Sequence, residues 1–218
     1  MNFFKIGLLG LALLFCTPLF AKNIAKISSK NGMVILKNGE KISGELHFYY
    51  RSELIQIVES SKKSKAFTAH QVDRFRFYDD KFETDRIFIS LELQQQSYKG
   101  SGFYEVISWG AIEVLGKLKY EDKSHLDVYK IQDSKTERAF LPRLIAHDYF
   151  VFYEDGFLPL KQYHKKVLSN MCEENETLAE YIKTEHIYEN DVYGQLQIIA
   201  YYNEKVSDIN YDMREFIK

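Results

Sequence analysis

The residues of this chain best suited to chemistry are six histidines, one cysteine beyond the N-terminal segment, and one acidic turn. Imidazole changes charge near neutral pH and ligates metals, so His47, His70, His125, His147, His164 and His186 come first. No His-x-x-x-His, His-Glu-x-x-His or paired-cysteine spacing joins them, so a metal site would have to be assembled from distant segments. His47 is expected on the polar face of a strand, and His70, His125 and His147 in or beside turns. His164, Cys172 and His186 are the one set that could converge, on a helical unit near the C-terminus. Surface and helix-end positions are the simpler expectation for them.

Asp79, Asp80, Glu83 and Asp85 form the densest acidic group, in the stretch YDDKFETD. Hard carboxylate oxygens suit calcium, but the glycine and glutamate of an EF-hand loop do not fall at its sixth and twelfth positions. A solvated turn is the plainer expectation. With His70 and Asp73, these acids are the candidates for a hydrolase or metal-dependent centre built from distant loops. Gly-x-Ser-x-Gly, the phosphate-binding Gly-x-x-x-x-Gly-Lys-Ser/Thr and Gly-x-Gly-x-x-Gly are all missing from the sequence. Cys172 is followed by Glu173 and Glu174, carboxylates that raise a thiol pKa rather than activate it. Asn175-Glu176-Thr177 matches a glycosylation sequon. No cofactor is expected.

The chain holds 16 Tyr, 16 Phe and a single Trp. Most fall at core-facing positions, where aromatic area serves burial. Tyr49, Tyr50, Tyr98, Tyr104 and Trp109 are the aromatics expected to reach a ligand or partner, with Glu113 a further outward position.

What must position these residues begins after a targeting segment. Lys5, an apolar run over 6–15, Thr17-Pro18 and then Ala21 follow the order of a secretory signal peptide covering residues 1–21. The run is shorter than the roughly 20 residues that span a bilayer, and no later stretch reaches that length. The remaining 197 residues, 22–218, suit one domain or two small ones. Loss of Lys5 from 29 basic residues leaves 28 against 31 acidic, a formal charge of −3. That balance argues against a nucleic-acid partner, which calls for a basic face. Cys172 alone excludes an internal disulfide once Cys16 leaves with the signal.

Alternating apolar and polar residues then predict a run of strands. Asn38-Gly39 between two apolar runs predicts a hairpin with positive φ at both turn positions. In the second strand Ile42, Leu46, Phe48 and Tyr50 share a face, and Gly44 marks a bulge. Strands follow at 54–58 and, in two pieces, at 67–78 around His70-Gln71. In 86–93, Ile87, Ile89, Leu91 and Leu93 are expected inward, with Arg86, Ser90 and Glu92 outward and Phe88 the exception. The stretch 102–120 is the strongest pattern: Phe103, Ile107 and Trp109 on one face, then Ile112, Val114, Leu118 and Tyr120 after Gly110. Gly116 lies on that apolar face, where it gives room to a bulky neighbour. A turn at 121–124, a weaker strand at 126–131 and an ambiguous piece at 140–145 precede a last hairpin at 149–160.

At Leu160 the period changes to that of a helix. Leu160, Tyr163, Val167, Leu168 and Met171 make one apolar side, and Leu178, Tyr181 and Ile182 another behind an Asn175 cap. A third helix from Asn190-Asp191 places Val192, Leu196, Ile199, Ala200 and Val206 together. Strands followed by helices predict an α+β fold. It comprises an antiparallel β-rich body over 22–160, a meander or roll of hairpins, and a small helical unit over 161–218 packed on it.

The chain resembles exported bacterial proteins of unassigned activity. The carriers are the N-terminal signal, Asn31-Gly32 and Asn38-Gly39 followed by Gly44, and the element of Ser101, Phe103, Glu105, Val106 and Gly110. Tyr181-Ile182-Lys183 and Tyr201-Tyr202-Asn203 complete it. The resemblance implies an exported, β-rich protein and supplies no catalytic residue. The expected role is a non-catalytic binding or interaction protein of the periplasm, cell surface or medium, with an envelope or surface protein as partner.

Overall fold

Leu36 begins the turn from which the sheet grows: its carbonyl accepts from the Gly39 N–H at 2.8 Å, and its own N–H donates to Glu40 O at 2.9 Å. Only Gly39 takes positive φ, at 87°. The hairpin is thus a type I turn closed by a left-handed glycine, rather than a turn with two left-handed residues. Asn38 Oδ1 accepts from Glu40 N at 2.9 Å and fixes it.

The computed structural model describes residues 26–80, 83–95, 98–119, 147–153 and 156–206. The expected pieces at 1–21 and 120–146 lie outside them. The strands are β1 (Ile27–Leu36), β2 (Lys41–Tyr49), β3 (Leu54–Val58), β4 (Ser64–Thr68), β5 (Val72–Asp79), β6 (Thr84–Gln95), β7 (Tyr98–Ser108), β8 (Glu113–Leu118), β9 (His147–Tyr153) and β10 (Gly156–Pro159). They form one ten-stranded antiparallel sheet in the order β10-β9-β8-β7-β6-β5-β1-β2-β3-β4. Three helices follow: α1 (Leu160–Glu174), α2 (Glu176–Thr184) and α3 (Val192–Val206). The α+β class with a β-rich body is therefore observed. Among the described residues no helix is long and apolar enough to cross a membrane.

Asn31-Gly32 is not a turn. It lies inside β1, where the register slips between Ser29 and Gly32 and sets Gly32 opposite Gly44. The bulge expected at Gly44 thus belongs to the partner strand. From there the sheet curls onto itself. Phe48 of β2 meets Phe75 of β5, Phe88 of β6 and Phe103 of β7 with ring centroids 4.9, 5.2 and 5.6 Å apart. Polar contacts close the roll: Glu53 Oε2 accepts from Phe103 N at 2.7 Å, and its other oxygen pairs with Lys117 Nζ. Lys37 pairs with Glu92 at 3.0 Å.

The other half of the sheet is covered on both sides. Ile112, Val114, Tyr149 and Val151 pack under the helices against Leu160, Tyr163, Val167, Leu178 and Ile199. On the opposite face Ile87, Tyr104, Val106 and Leu115 pack with Phe150 and Phe157. Alternation in β6 and β7 therefore separates two interiors, not inside from outside. Arg86, expected outward, is 4% exposed, and Tyr104, also expected outward, is 6% exposed. A further register shift, between Val106 and Ser108, reverses the faces beyond it. Trp109 thus packs with the Tyr104 cluster, not with Phe103 and Ile107.

The helices start where expected. Asn175 Oδ1 accepts from Thr177 N at 3.1 Å, and Asp191 Oδ1 from Gly194 N at 2.6 Å. The buried side of α3 is Leu196, Ile198, Ile199 and Tyr202, while Val192 and Ala200 face solvent. The helix is turned by Asn203. Its Oδ1 accepts from Ile112 N at 2.9 Å and its Nδ2 donates to Ile112 O at 2.8 Å, clamping the β7–β8 connection. Asn203→Leu removes both bonds and strands two buried main-chain groups, so urea unfolding is expected to show a loss of about 2–4 kcal/mol. A loss under 1 kcal/mol would show that the clamp contributes little.

Candidate functional site

The densest charged cluster among the described residues is one that no spacing announced. Phe88 on β6 pairs with Glu105 on β7, Glu105 with Gly116 on β8, and Gly116 with Tyr149 on β9. Arg86 and His147 lie two residues before Phe88 and Tyr149, so period-two geometry brings all three ionisable side chains to one face. Arg86 Nε and Nη2 donate to the two oxygens of Glu105 at 2.9 and 2.7 Å, and Nη1 to Asp79 Oδ2 at 3.1 Å. The guanidinium sits over the Phe77 and Phe88 rings, 5.6 and 5.3 Å from their centroids.

His147 reaches the cluster across an intervening strand because Gly116 has no side chain. A Cβ there would stand 2.8 Å from the imidazole Cδ2. The room expected at Gly116 is thus filled by His147, a strand residue 2% exposed rather than a turn residue. Its Nε2 lies 2.7 Å from Glu105 Oε2. Burial alone would push the Glu105 carboxyl up. The His147 contact and the Arg86 charge outweigh it and hold the carboxyl well below the ordinary carboxylate range. Burial likewise opposes the Arg86 charge, and Glu105 and Asp79 overcome it, raising its pKa. With side chains 5%, 0% and 1% exposed, the trio meets no external substrate. It is a structural pin across four strands.

Among the described residues, clefts open at two places. One, of about 1020 Å³, lies among α1, α2 and the α2–α3 connection and is lined by His164, Cys172, His186 and Glu189. His164, Cys172 and His186 all border this cleft, with His186 exposed just beyond the end of α2, in keeping with the simpler expectation of a helix-end position for it. His164 Nε2 is 3.9 Å from Glu189 Oε2, and no group of three or more His, Cys, Asp or Glu among the described residues could hold a metal ion. Burial, then Glu189, raises the Cys172 thiol pKa, so the acidic neighbour that matters is Glu189 rather than the adjacent glutamates. Burial lowers the His164 pKa against the pull of Glu189.

The second cleft, of about 710 Å³, opens at the bulged end of β1 and is lined by Lys30, Gly44, Lys62, Arg76, Tyr78 and Asp85, among others. Ser29 Oγ donates to Tyr78 O at 2.9 Å and ties the bulge to β5. Half-buried Arg76 faces Met33 on one side and Ile87 on the other. No ion pair of the described residues uses Arg76, Lys30 or Lys62. Of the acids beside them, Glu59 pairs with Lys65 at 2.8 Å and Glu45 lies 3.6 Å from His47 Nε2, while no ion pair of the described residues uses Asp85.

The other expected contact residues scatter. Tyr49 is half-buried and donates to Gln56 Oε1 at 3.1 Å, and Trp109 is half-buried. The main chain of Tyr98 begins β7, and its side chain is outside the described set. Half-buried Glu113 has its carboxyl pKa raised by burial. His70 is in the turn before β5 and contacts Ser101 Oγ at 3.0 Å, while Asp79, Asp80, Glu83 and Asp85 lie at the far end of β5. Eight residues of strand separate those ends by roughly 25 Å, so His70 and the acids share no site. Asp79 is turned inward to Arg86, and Asp80, Glu83 and Asp85 are exposed. His125 lies outside the described residues. Sequence reasoning missed Arg76, whose only signal is an arginine between two aromatic residues in Arg74-Phe75-Arg76-Phe77.

Comparison with protein families, curated proteins and solved structures finds no match to this chain.

Proposed function

We propose that this is an exported envelope protein that binds a partner protein or surface component and carries out no reaction of its own. One observation supports the reading above the others. Arg76 makes no ion pair among the described residues and lines an open cleft beside Tyr78, which is 42% exposed. Arginine and tyrosine are among the residues enriched at protein interfaces and their hot spots. The ionic cluster best suited to proton transfer is sealed in the core, where it serves the fold.

The test is a pull-down from the native envelope fraction with the signal-free protein as bait. One partner is expected at a fixed ratio to the bait, and Arg76→Glu is expected to lose it while leaving thermal unfolding unchanged. A partner retained equally by Arg76→Glu would remove the cleft from the proposal. Turnover of ester, peptide or phosphate substrates by the purified protein would end the non-catalytic reading.

A further inference from the structure

We infer that the cleft at the bulged end of β1 recognises the C-terminal carboxylate of an extended peptide segment. The inference rests on the binding role proposed for this cleft and supplies the chemistry of its ligand. The floor holds a single half-buried fork of donors, Arg76, whose planar guanidinium matches a carboxylate in two parallel hydrogen bonds. Lys30 and Lys62 stand at the rim as flexible point charges, free of ion pairs among the described residues.

The negative groups define what kind of anion fits. Glu45, Glu59 and Asp85 also line the cleft. Asp85 faces Tyr78 in the ladder and is the diagonal neighbour of Arg76 on the same sheet face, about 7–8 Å away by antiparallel geometry. A monoanion meets less repulsion from these carboxylates than a dianion such as phosphate, and the neutral chain that it ends adds none. About 710 Å³ is several times what a carboxylate needs, so the cleft also has room for the residues before it. Their apolar wall is Met33 and the Tyr78 ring. The bulged residues Lys30 and Asn31 fall between the paired positions Ser29 and Gly32, and Ser29 Oγ accepts from the Asn31 N–H at 3.4 Å, fixing the bulge that borders the cleft.

The experiment is a ¹⁵N NMR titration of the signal-free protein with acetyl-trialanine as its free acid and, separately, as its C-terminal amide. The acid is expected to shift the Gly32, Gly44, Arg76 and Tyr78 amides, and the amide to bind at least about tenfold more weakly. Arg76→Gln should reduce the acid to the level of the amide, and Arg76→Lys, which keeps charge but loses the fork, should fall between. Each variant's own spectrum reports whether it is folded. Equal binding of acid and amide, unchanged binding by Arg76→Gln, or no shift with either peptide overturns the inference. If it falls while the pull-down still depends on Arg76, the ligand class is wrong and the binding role stands. If the pull-down loses its dependence on Arg76 as well, both fall.

Discussion

Glu105→Ala is expected to lower the unfolding free energy by about 3–5 kcal/mol in urea at pH 7, the usual range for removing one partner of a buried ion pair. The substitution leaves Arg86 buried over two phenyl rings with only Asp79 to answer its charge. It also takes from His147 the carboxylate 2.7 Å from its ring. Arg86→Met/Glu105→Leu removes both charges and refills the volume. It is expected to be more stable than either single variant, since well-packed apolar groups often match a buried pair. Single variants within 1 kcal/mol of wild type would show that water or another group compensates for the loss.

The same carboxyl sets an acid limit. Its folded-state pKa lies below the ordinary value of 4.5, so its contribution to stability is complete above that pH. The contribution shrinks as pH falls below 4.5 and is gone once pH passes the depressed folded-state value. Unfolding free energy measured between pH 7 and pH 3 should therefore fall more steeply for wild type than for the double variant. Parallel curves would assign the acid limb to other carboxylates.

Phe48→Ala is the second large effect, expected at about 3–5 kcal/mol from lost transfer free energy and the cavity left behind. Phe48 is 1% exposed, and its ring is the meeting point of three others from β5, β6 and β7. It joins parts of the sheet that are not neighbours in the ladder, so its loss loosens the curl as well as the packing. A dye sensitive to exposed apolar surface should bind the variant and not wild type in native buffer. A loss below 1 kcal/mol with no dye binding would mean that Phe75, Phe88 and Phe103 collapse into the space.

Periodicity carried the element order because it depends on local residues. Ile42, Leu46 and Phe48 alternate cleanly, β3 is where its apolar run lies, and Asn175 caps the helix it precedes. What periodicity cannot carry is which face is wet. Ile87 and Phe88 are both buried because each faces a different interior, so the rule that made Arg86 and Tyr104 outward had no solvent side to refer to. The Arg86–Glu105–His147 cluster was invisible for a related reason. Its members sit 19 and 42 residues apart in sequence and meet only through ladder register and the missing side chain of Gly116. Charged residues inside otherwise apolar runs, as Glu105 is within Phe103-Tyr104-Glu105-Val106-Ile107, were the one sign left in the chain.

The strand order has a kinetic consequence. Between β1 and β8 each ladder joins strands consecutive in sequence except one, β1 against β5. The first four strands form one meander and β5 to β8 another, each pairing strands close in sequence. The β1–β5 seam, pairing residues such as Val34 and Phe75, must close a loop of about forty residues before its contacts are gained. The loop closure is expected to slow the joining of the two meanders, and until the seam forms β1 and β5 are two exposed edges, each able to take a strand from another chain.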